Sequence, residues 1–373
     1  MTFTPFDLEY AQSLWEQKVD INLTESGVHP IRLDELLGGD ESMLSELLAT
    51  EINYPHVNGN PLLRESIAGL YDGADVANVL VTVGAAEANN IIMQTIMEPG
   101  DELITQTPTY KQVWGIAENC EHQVKSFRMQ ADNGWALDID EMNAQVNDNT
   151  RIIAIVNPNN PTGYIMTDAE MDAVVAAADR VGAWILADEV YRGAERLQEA
   201  ETSSFYGRYD KVLAVGSMSK AYGLPGLRIG WVVGPPQTVD DIWRRHEYTT
   251  ITASMFSNIL ATHALLPDVR PRLLKRTRDY IRNGFPVLEQ WMNSQDGVFS
   301  YTPPQASAVS FIQYHLDINS TELMEKLCSE AGVFVGAGDS FGMDHHLRIA
   351  FGQDKAVLED AFQRIEKTLQ SIS

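Results

Sequence analysis

Cysteine is nearly absent: Cys120 and Cys328 are the only two in 373 residues. Two cysteines make no disulfide framework, and no C-x-x-C pair or His/Cys cluster points to a structural metal. The adjacent His345 and His346 lack the spacing by which a helix presents two metal ligands, and they read as a solvated turn. Positive charge is scarce as well. There are 27 Lys and Arg against 52 Asp and Glu, a formal net charge of −25. So acidic a chain repels nucleic acid and anionic membrane, and neither is expected as a partner. Nowhere do about 18 apolar residues run together, so no membrane span is expected. The segment from Met1 to Asp20 carries acidic side chains and no apolar core of signal-peptide kind, which predicts a cytoplasmic protein. Repeats and low-complexity linkers are also missing.

What is present suits a packed globular protein. Hydrophobic residues make up 44% of the chain, enough for a core, and the length exceeds one ordinary core, so two domains are expected. From about Pro61 to Gly234 short apolar strands alternate with amphipathic helices, the α/β rhythm of a parallel sheet covered on both faces. Strands are predicted over 79–83, 102–105, 151–156, 183–187, 212–215 and 229–233. Helices are predicted over 85–97, 110–119 and 168–181, the last opened by Asp168 and Glu170 at the positive end of its dipole. After Trp243 the pattern changes. Longer helices lead to short strands over 308–315, 333–335 and 347–350, and a closing helix starts at Lys355. The expected division is an N-terminal arm over 1–35, a large domain over 36–245 and a small α+β domain over 246–373. The arm is expected to join the small domain and the substrate site.

Chemistry collects at predicted strand ends, where open α/β sheets bind ligands. Ser217-Met218-Ser219-Lys220 is followed by Gly226, Arg228 and Gly230. A lysine among small hydroxyl residues can form a Schiff base with an aldehyde cofactor, while hydroxyls and a guanidinium hold that cofactor's phosphate. Gly84-Ala85-Ala86-Glu87 opens a helix directly after a strand, and small residues there let backbone N–H groups approach an anion. Asn157-Pro158-Asn159-Asn160-Pro161-Thr162-Gly163 reads either as a proline-fixed turn or as a support from which the Asn160 amide holds a phenolate oxygen. Asp188-Glu189-Val190-Tyr191 ends an apolar strand, so its aspartate must find a cation or take up a proton. Each piece alone also fits a plain turn, cap or solvated edge.

Their order and spacing do not. Gly84, Tyr110, the Asn157–Gly163 run, Asp188 to Tyr191, Ser217 to Lys220 and Gly226-Leu227-Arg228 together resemble the fold type I pyridoxal-phosphate (PLP) enzymes. The resemblance is to the class I/II aminotransferases and runs from about Ile21 to Ala350. It implies an aspartate aminotransferase-like fold, with a large domain built on a mostly parallel sheet between helices and a smaller α+β domain. It also implies pyridoxal 5′-phosphate as cofactor, and transfer of the α-amino group of an L-amino acid to a 2-oxo acid. By the same resemblance Lys220 carries the Schiff base, Asp188 holds the pyridine nitrogen, and Asn160 and Tyr191 meet the ring's 3-oxygen. Tyr110 stacks on the ring. Gly84, Ala85, Ala86, Ser217, Ser219 and Arg228 surround the phosphate. Arg348 grips the substrate's α-carboxylate, beside Gly27 and Asn160. Tyr54 is similar to the tyrosine that reaches the neighbouring subunit's cofactor, which implies a homodimer.

Two segments depart from much of that family: Thr24-Glu25-Ser26-Gly27-Val28-His29 and Gln305-Ala306-Ser307. Both are expected to border the substrate. The Ser-Gly-Val-His run, with the preceding Asp20-Ile21 and the Ser219–Arg228 segment, resembles the capreomycidine synthases and related arginine-handling PLP enzymes. A lyase, cyclase or oxidase acting on an arginine-like amino acid is therefore the rival reading, and a non-catalytic PLP-binding module is a third. On the rival reading Glu9, Glu25 or Glu247 would meet the substrate's cationic end, and His29 would move a proton at its β or γ carbon. The plainer account is a solvated acidic arm and a structural histidine.

Overall fold

The computed structural model describes residues 3–372. Met1, Thr2 and Ser373, at the outer ends of the expected arm and small domain, lie outside the described residues. Eight strands form the large sheet, in the order Val79–Thr82, Gly230–Val233, Val212–Ser217, Trp184–Asp188, Thr150–Val156, Glu102–Thr107, Gln123–Gln130, Ala136–Leu137. Its central strands are buried on both faces, which is why they read as continuous apolar runs rather than alternating ones.

The helix Asp168–Val181 shows how local sequence sets an element. Thr167 and Glu170 form a reciprocal capping box at its start, and Gly182 closes it in the left-handed conformation at φ 69°. Met171, Val174, Ala177 and Ala178 make the buried stripe between those signals. Removing such an N-cap costs about 1 kcal/mol.

Two features differ from the parallel rhythm read in the sequence. Gly230–Val233 runs antiparallel to both neighbours, Val79–Thr82 and Val212–Ser217. Two reversals restore the direction, so Val79–Thr82 ends on the same edge as the parallel strands. The reversed strand instead begins there, which puts Arg228 beside Gly84. The second feature is the strand Gln123–Gln130, whose mostly polar residues give no apolar run. It exists because it pairs in parallel with Glu102–Thr107 over six residues.

A four-stranded antiparallel sheet, Phe299–Tyr301, Val309–Tyr314, His346–Ala350 and Gly336–Ala337, forms the C-terminal part. The N-terminal arm attaches to that part through Ile21–Asn22, which pairs in parallel with Val333–Phe334. His346 corrects the expected solvated turn. It is buried in a strand, its ring stacked on Phe311 at 4.9 Å, and only its neighbour His345 is exposed. The apolar partners across the sheet outweigh the turn propensity of the preceding residues. Among the described residues, no helix is long and apolar enough to cross a membrane.

The two parts meet at the long helix Arg270–Ser294. Arg278 Nη2 reaches Glu195 Oε2 at 2.6 Å, with the Glu195 side chain fully buried, and Arg278 Nε donates to Gly193 O at 3.1 Å. Glu195 Oε1 accepts from Gly193 N, Thr202 N and Thr202 Oγ1. Four donors converge on the carboxylate, so removing its charge leaves the buried Arg278 guanidinium with only the exposed Glu199, 3.5 Å away, as counter-ion. Glu195→Gln should lower unfolding free energy by about 3–5 kcal/mol in urea titrations. A loss below about 1 kcal/mol would show that the pair carries little of the seam.

Candidate active site

A cavity of about 380 Å³ opens at the carboxyl edge of the large sheet. Its walls come from strand ends and the turns that follow them. Asp188 ends Trp184–Asp188, Ser217 ends Val212–Ser217, and Ala85 and Ala86 sit in the first turn after Val79–Thr82. Asn160, Tyr191, Ser219, Lys220, Arg228, Tyr110 and Arg348 complete the set taken from separate motifs, and Glu9 and Glu25 line it as well.

One wall is shaped for an anion. Gly84 has φ 74°, and a Cβ there would lie 2.4 Å from Arg228 Nη2, so only glycine lets the guanidinium fold over the turn. Arg228 itself is exposed to the cavity and donates to Pro225 O at 3.1 Å. The Ser217 hydroxyl accepts from Ser219 N at 3.0 Å and bonds Ser219 Oγ at 2.9 Å, orienting that hydroxyl. The first-turn N–H groups of the helix Gly84–Ile96 point into the same space, and its dipole favours negative charge.

On the opposite side lie buried charges without counter-ions. Arg348 is 1% exposed, yet it bonds only neutral acceptors: Asn160 Oδ1 at 3.1 Å and Thr24 O at 2.7 Å. Its Nε has no partner. Burial pulls its pKa down, opposed by the phenols of Tyr191 and Tyr110 and by Glu9 and Glu25. Asp188 accepts from Asn89 Nδ2 at 3.1 Å and Val190 N at 3.3 Å. Burial still raises its pKa above the ordinary aspartate value, against those hydrogen bonds and the charge of Lys220. The Tyr191 hydroxyl is buried without a hydrogen bond. Burial pushes that phenol up to about 12, with Arg348 and nearby Ser26 pulling the other way. For Lys220, burial lowers the ammonium pKa, Glu25 opposes, Arg348 adds to the lowering, and Glu9 and Arg228 have smaller opposed effects.

These groups fit pyridoxal phosphate. The anion cradle suits the phosphate, Asp188 lacks the cation that a protonated ring nitrogen provides, the unpartnered Tyr191 hydroxyl can meet a ring oxygen, and Lys220 has a lowered pKa. Residues 46–365 match the family described as aminotransferase class I and II. The chain belongs to that family. It is a PLP-dependent enzyme of the aspartate aminotransferase-like fold. It is 30% identical to a PLP-dependent aminotransferase from Streptococcus suis, whose crystal structure superposes at a TM-score of 0.94 over 100% of this chain and 99% of that one. It is 28% identical to a capreomycidine synthase of Streptomyces vinaceus, covering 95% of this chain and 90% of the relative. It is 25% identical to an arginine–pyruvate transaminase of Pseudomonas aeruginosa, over 87% of this chain and 84% of that one.

Other sequence-predicted residues lie elsewhere. Gly27 packs beside Lys220, where a Cβ would meet Lys220 Cδ at 3.8 Å, but it does not line the cavity. His29 is exposed outside it, with Nδ1 3.3 Å from Gln353 Oε1. Glu247 follows the helix Pro236–His246 and is exposed away from the walls. Tyr54 is 80% exposed and lies outside this chain's own cavity. Gln305–Ser307, expected to border the substrate, instead packs on the Asn157–Gly163 turn. Gln305 and Ala306 N–H groups donate to Gly163 O, and Gln305 Oε1 accepts from Ile165 N at 2.7 Å.

Sequence reasoning missed Phe6, Gln12 and Gln112 on the walls, and Asn89 behind Asp188, whereas Ser26 lies in a segment it expected there. Asn89 carried a signal, being a polar residue on the apolar face of a helix, one turn beyond Ala85. Phe6 and Gln12 depend on where the N-terminal helix Asp7–Trp15 docks, and Gln112 opens the helix that follows Tyr110.

The lowered pKa of Lys220 has a sign that can be tested. Between its value in the fold and the ordinary 10.5, the unfolded chain binds more protons, so stability rises with pH across that window. Below it the fold must carry a buried ammonium. In the cofactor-free protein, Lys220→Met should raise the melting temperature on the acid side of that window and flatten the climb toward pH 10.5. Parallel wild-type and variant curves in calorimetry would count against it.

Proposed function

We propose that this enzyme transfers the α-amino group of amino acids whose side chain carries a positive charge, using Lys220, Asp188 and Arg348 as its central groups. The observation that supports the substrate class is the pair Glu9 and Glu25. Both line the cavity, and among the described residues neither forms an ion pair. Glu9 Oε1 accepts only from the Tyr110 hydroxyl at 2.5 Å. The three lining cations have other uses: Arg228 for the phosphate, Arg348 for the substrate's carboxylate, Lys220 for the Schiff base. Two carboxylates are then left facing the substrate's side chain, and a guanidinium or ammonium there would balance them.

The site residues take the following parts. Ala85, Ala86, Ser217, Ser219 and Arg228 hold the phosphate, and Asp188, steadied by Asn89, keeps a proton on the ring nitrogen. Tyr191 and Asn160 meet the ring oxygen, with Tyr110 against the ring face. When bound, pyridoxal phosphate supplies a carbonyl for the amino group and a ring that accepts electrons. Arg348 orients the amino acid by a two-point grip on its carboxylate. Lys220 Nζ would serve as the base for the proton on the substrate's Cα, and the burial that lowers its pKa would leave more of it in the neutral, proton-accepting form. The 2-oxo acid acceptor uses the same groups in reverse.

A homodimer in the cytoplasm is the working form. Leu44, Leu48, Ile52, Tyr54 and Leu62 are large apolar residues left exposed along one segment, as at a subunit interface. Tyr54 from that segment would reach the partner's phosphate. The rival elimination or cyclisation on an arginine-like compound draws on the likeness to capreomycidine synthase. It needs a proton-moving group at the substrate's β or γ carbon, and His29, which was its candidate, lies outside the cavity. Transfer is therefore preferred.

Lys220→Ala should retain the cofactor non-covalently and lose turnover by about 10²-fold or more, the usual share of a positioned acid–base group. Substantial residual activity would refute its role. In a panel of cationic and neutral amino acids, Glu9→Gln should raise KM for the cationic ones about tenfold, with little change for the neutral ones. Equal effects on both would refute the substrate class while leaving the transferase reading intact.

A further inference from the structure

Successive residues at a strand end point to opposite faces of the sheet. Asp188 lines the active-site cavity, while Glu189 lines a separate small pocket behind its wall. The two spaces share Val190 and Ser217. The rear pocket measures about 20 Å³, room for one water molecule, which needs roughly 10–15 Å³.

The charges around that pocket do not balance by contact. Arg270 pairs with Glu201 at 2.7 Å and donates to Tyr222 Oη at 3.1 Å. Arg192, by contrast, donates only to the carbonyls of Thr202 and Leu70 and lies over the Tyr71 ring. Glu189 is the remaining carboxylate. Its Oε1 accepts from Ser204 Oγ and Phe205 N, both at 2.8 Å, but its Oε2 is buried with no partner. Tyr71 Oη accepts from Trp231 Nε1 at 3.0 Å, so its own hydroxyl proton is still to be placed. A half-satisfied carboxylate, an unpaired guanidinium and a water-sized space lined by polar groups thus adjoin one another. Burial pushes the Glu189 pKa up to about 7, against Arg192 and the bonds from Phe205 and Ser204, and the charge of Asp188 pushes the same way as burial. The groups that face it are Asp188 and Arg192 from its own turn, and Tyr71, Glu201, Tyr222 and Arg270 from the packed elements.

We propose that Glu189 is a positioning residue that exchanges a proton through one water in this rear pocket, its charge setting how strongly neighbouring Asp188 attracts a proton. A proton gained from solvent sits on Oε2, and its loss restores the carboxylate that faces Arg192. With Glu189 ionised, the added negative charge beside Asp188 strengthens the hold on a proton at the ring nitrogen. With Glu189 neutral, the hold relaxes. This rests on the reading of Asp188 as the partner of the cofactor's ring nitrogen.

The test is holoenzyme loaded with cofactor labelled with ¹⁵N at the ring nitrogen and followed by NMR across pH. In the wild type the ring-nitrogen resonance should move, with a midpoint near pH 7, and Glu189→Gln should lose that step. A resonance at the protonated position that ignores pH, or one that moves equally in both proteins, overturns the proposal alone. A resonance at the unprotonated position throughout overturns the Asp188 reading and the proposal with it. Should Glu189→Gln not fold, Ser204→Ala keeps the carboxyl group and removes one bond that favours its charged form. Its midpoint should then move to higher pH, and an unmoved midpoint overturns the proposal.

Discussion

A buried charge must find an opposite charge, enough hydrogen bonds or a proton. At the edge of the large sheet this chain gathers charges that its own side chains do not neutralise. Arg348 meets only an amide oxygen and a carbonyl, Asp188 only an amide and a backbone N–H, and Lys220 shares the cavity wall with them. Such an arrangement is costly when empty and favourable when ligands of matching charge arrive. The cofactor and substrate classes of an aminotransferase match it group by group: an anionic phosphate, a protonated ring nitrogen and a carboxylate.

Holding those charges apart requires a rigid frame, and the sheet supplies it. Parallel strands deliver Asp188, Ser217 and the Asn157–Gly163 turn to one edge. The antiparallel strand Gly230–Val233 adds Arg228 to that edge because it starts where its neighbours end. The opposite wall is built from other parts. Arg348 comes from the small sheet, Glu25 and Ser26 from the arm, and Glu9 and Gln12 from the N-terminal helix. That helix is tied down by Lys111 to Asp7 at 3.1 Å and by Tyr110 to Glu9. The cavity therefore has one wall on the large sheet and another built from the small sheet, the arm and the N-terminal helix. The buried Glu195–Arg278 pair fastens the two.

Legibility in the sequence followed this division. The residues gathered at the large sheet's edge were readable because each sits in a short motif, and the order and spacing of those motifs exclude the plain turn or cap that each alone allows. A glycine precedes a helix, an aspartate ends an apolar strand, and hydroxyls flank a lysine. Boundaries of the apolar strands came within a residue or two, since burial on both faces leaves a continuous run. The polar strand Gln123–Gln130 and the buried His346 were not readable, because their state depends on partners distant in the chain. The same holds for His29 and Glu247. Both stand in plausible segments, but side-chain direction there is set by packing against Gln353 and by the end of a helix.

From the residues alone came the cofactor class, the α/β architecture and the motifs whose lysine, aspartate and arginine gather at the cavity. These are encoded by contiguous motifs and by periodicity, both of which survive without tertiary contacts. Only the folded chain decided which acidic residues line the cavity, which carboxylate at 188 and 189 looks toward it, and which polar atoms stay unpaired. Those outcomes depend on distances between segments far apart in sequence. Burial acts on a charge only once the segments have met.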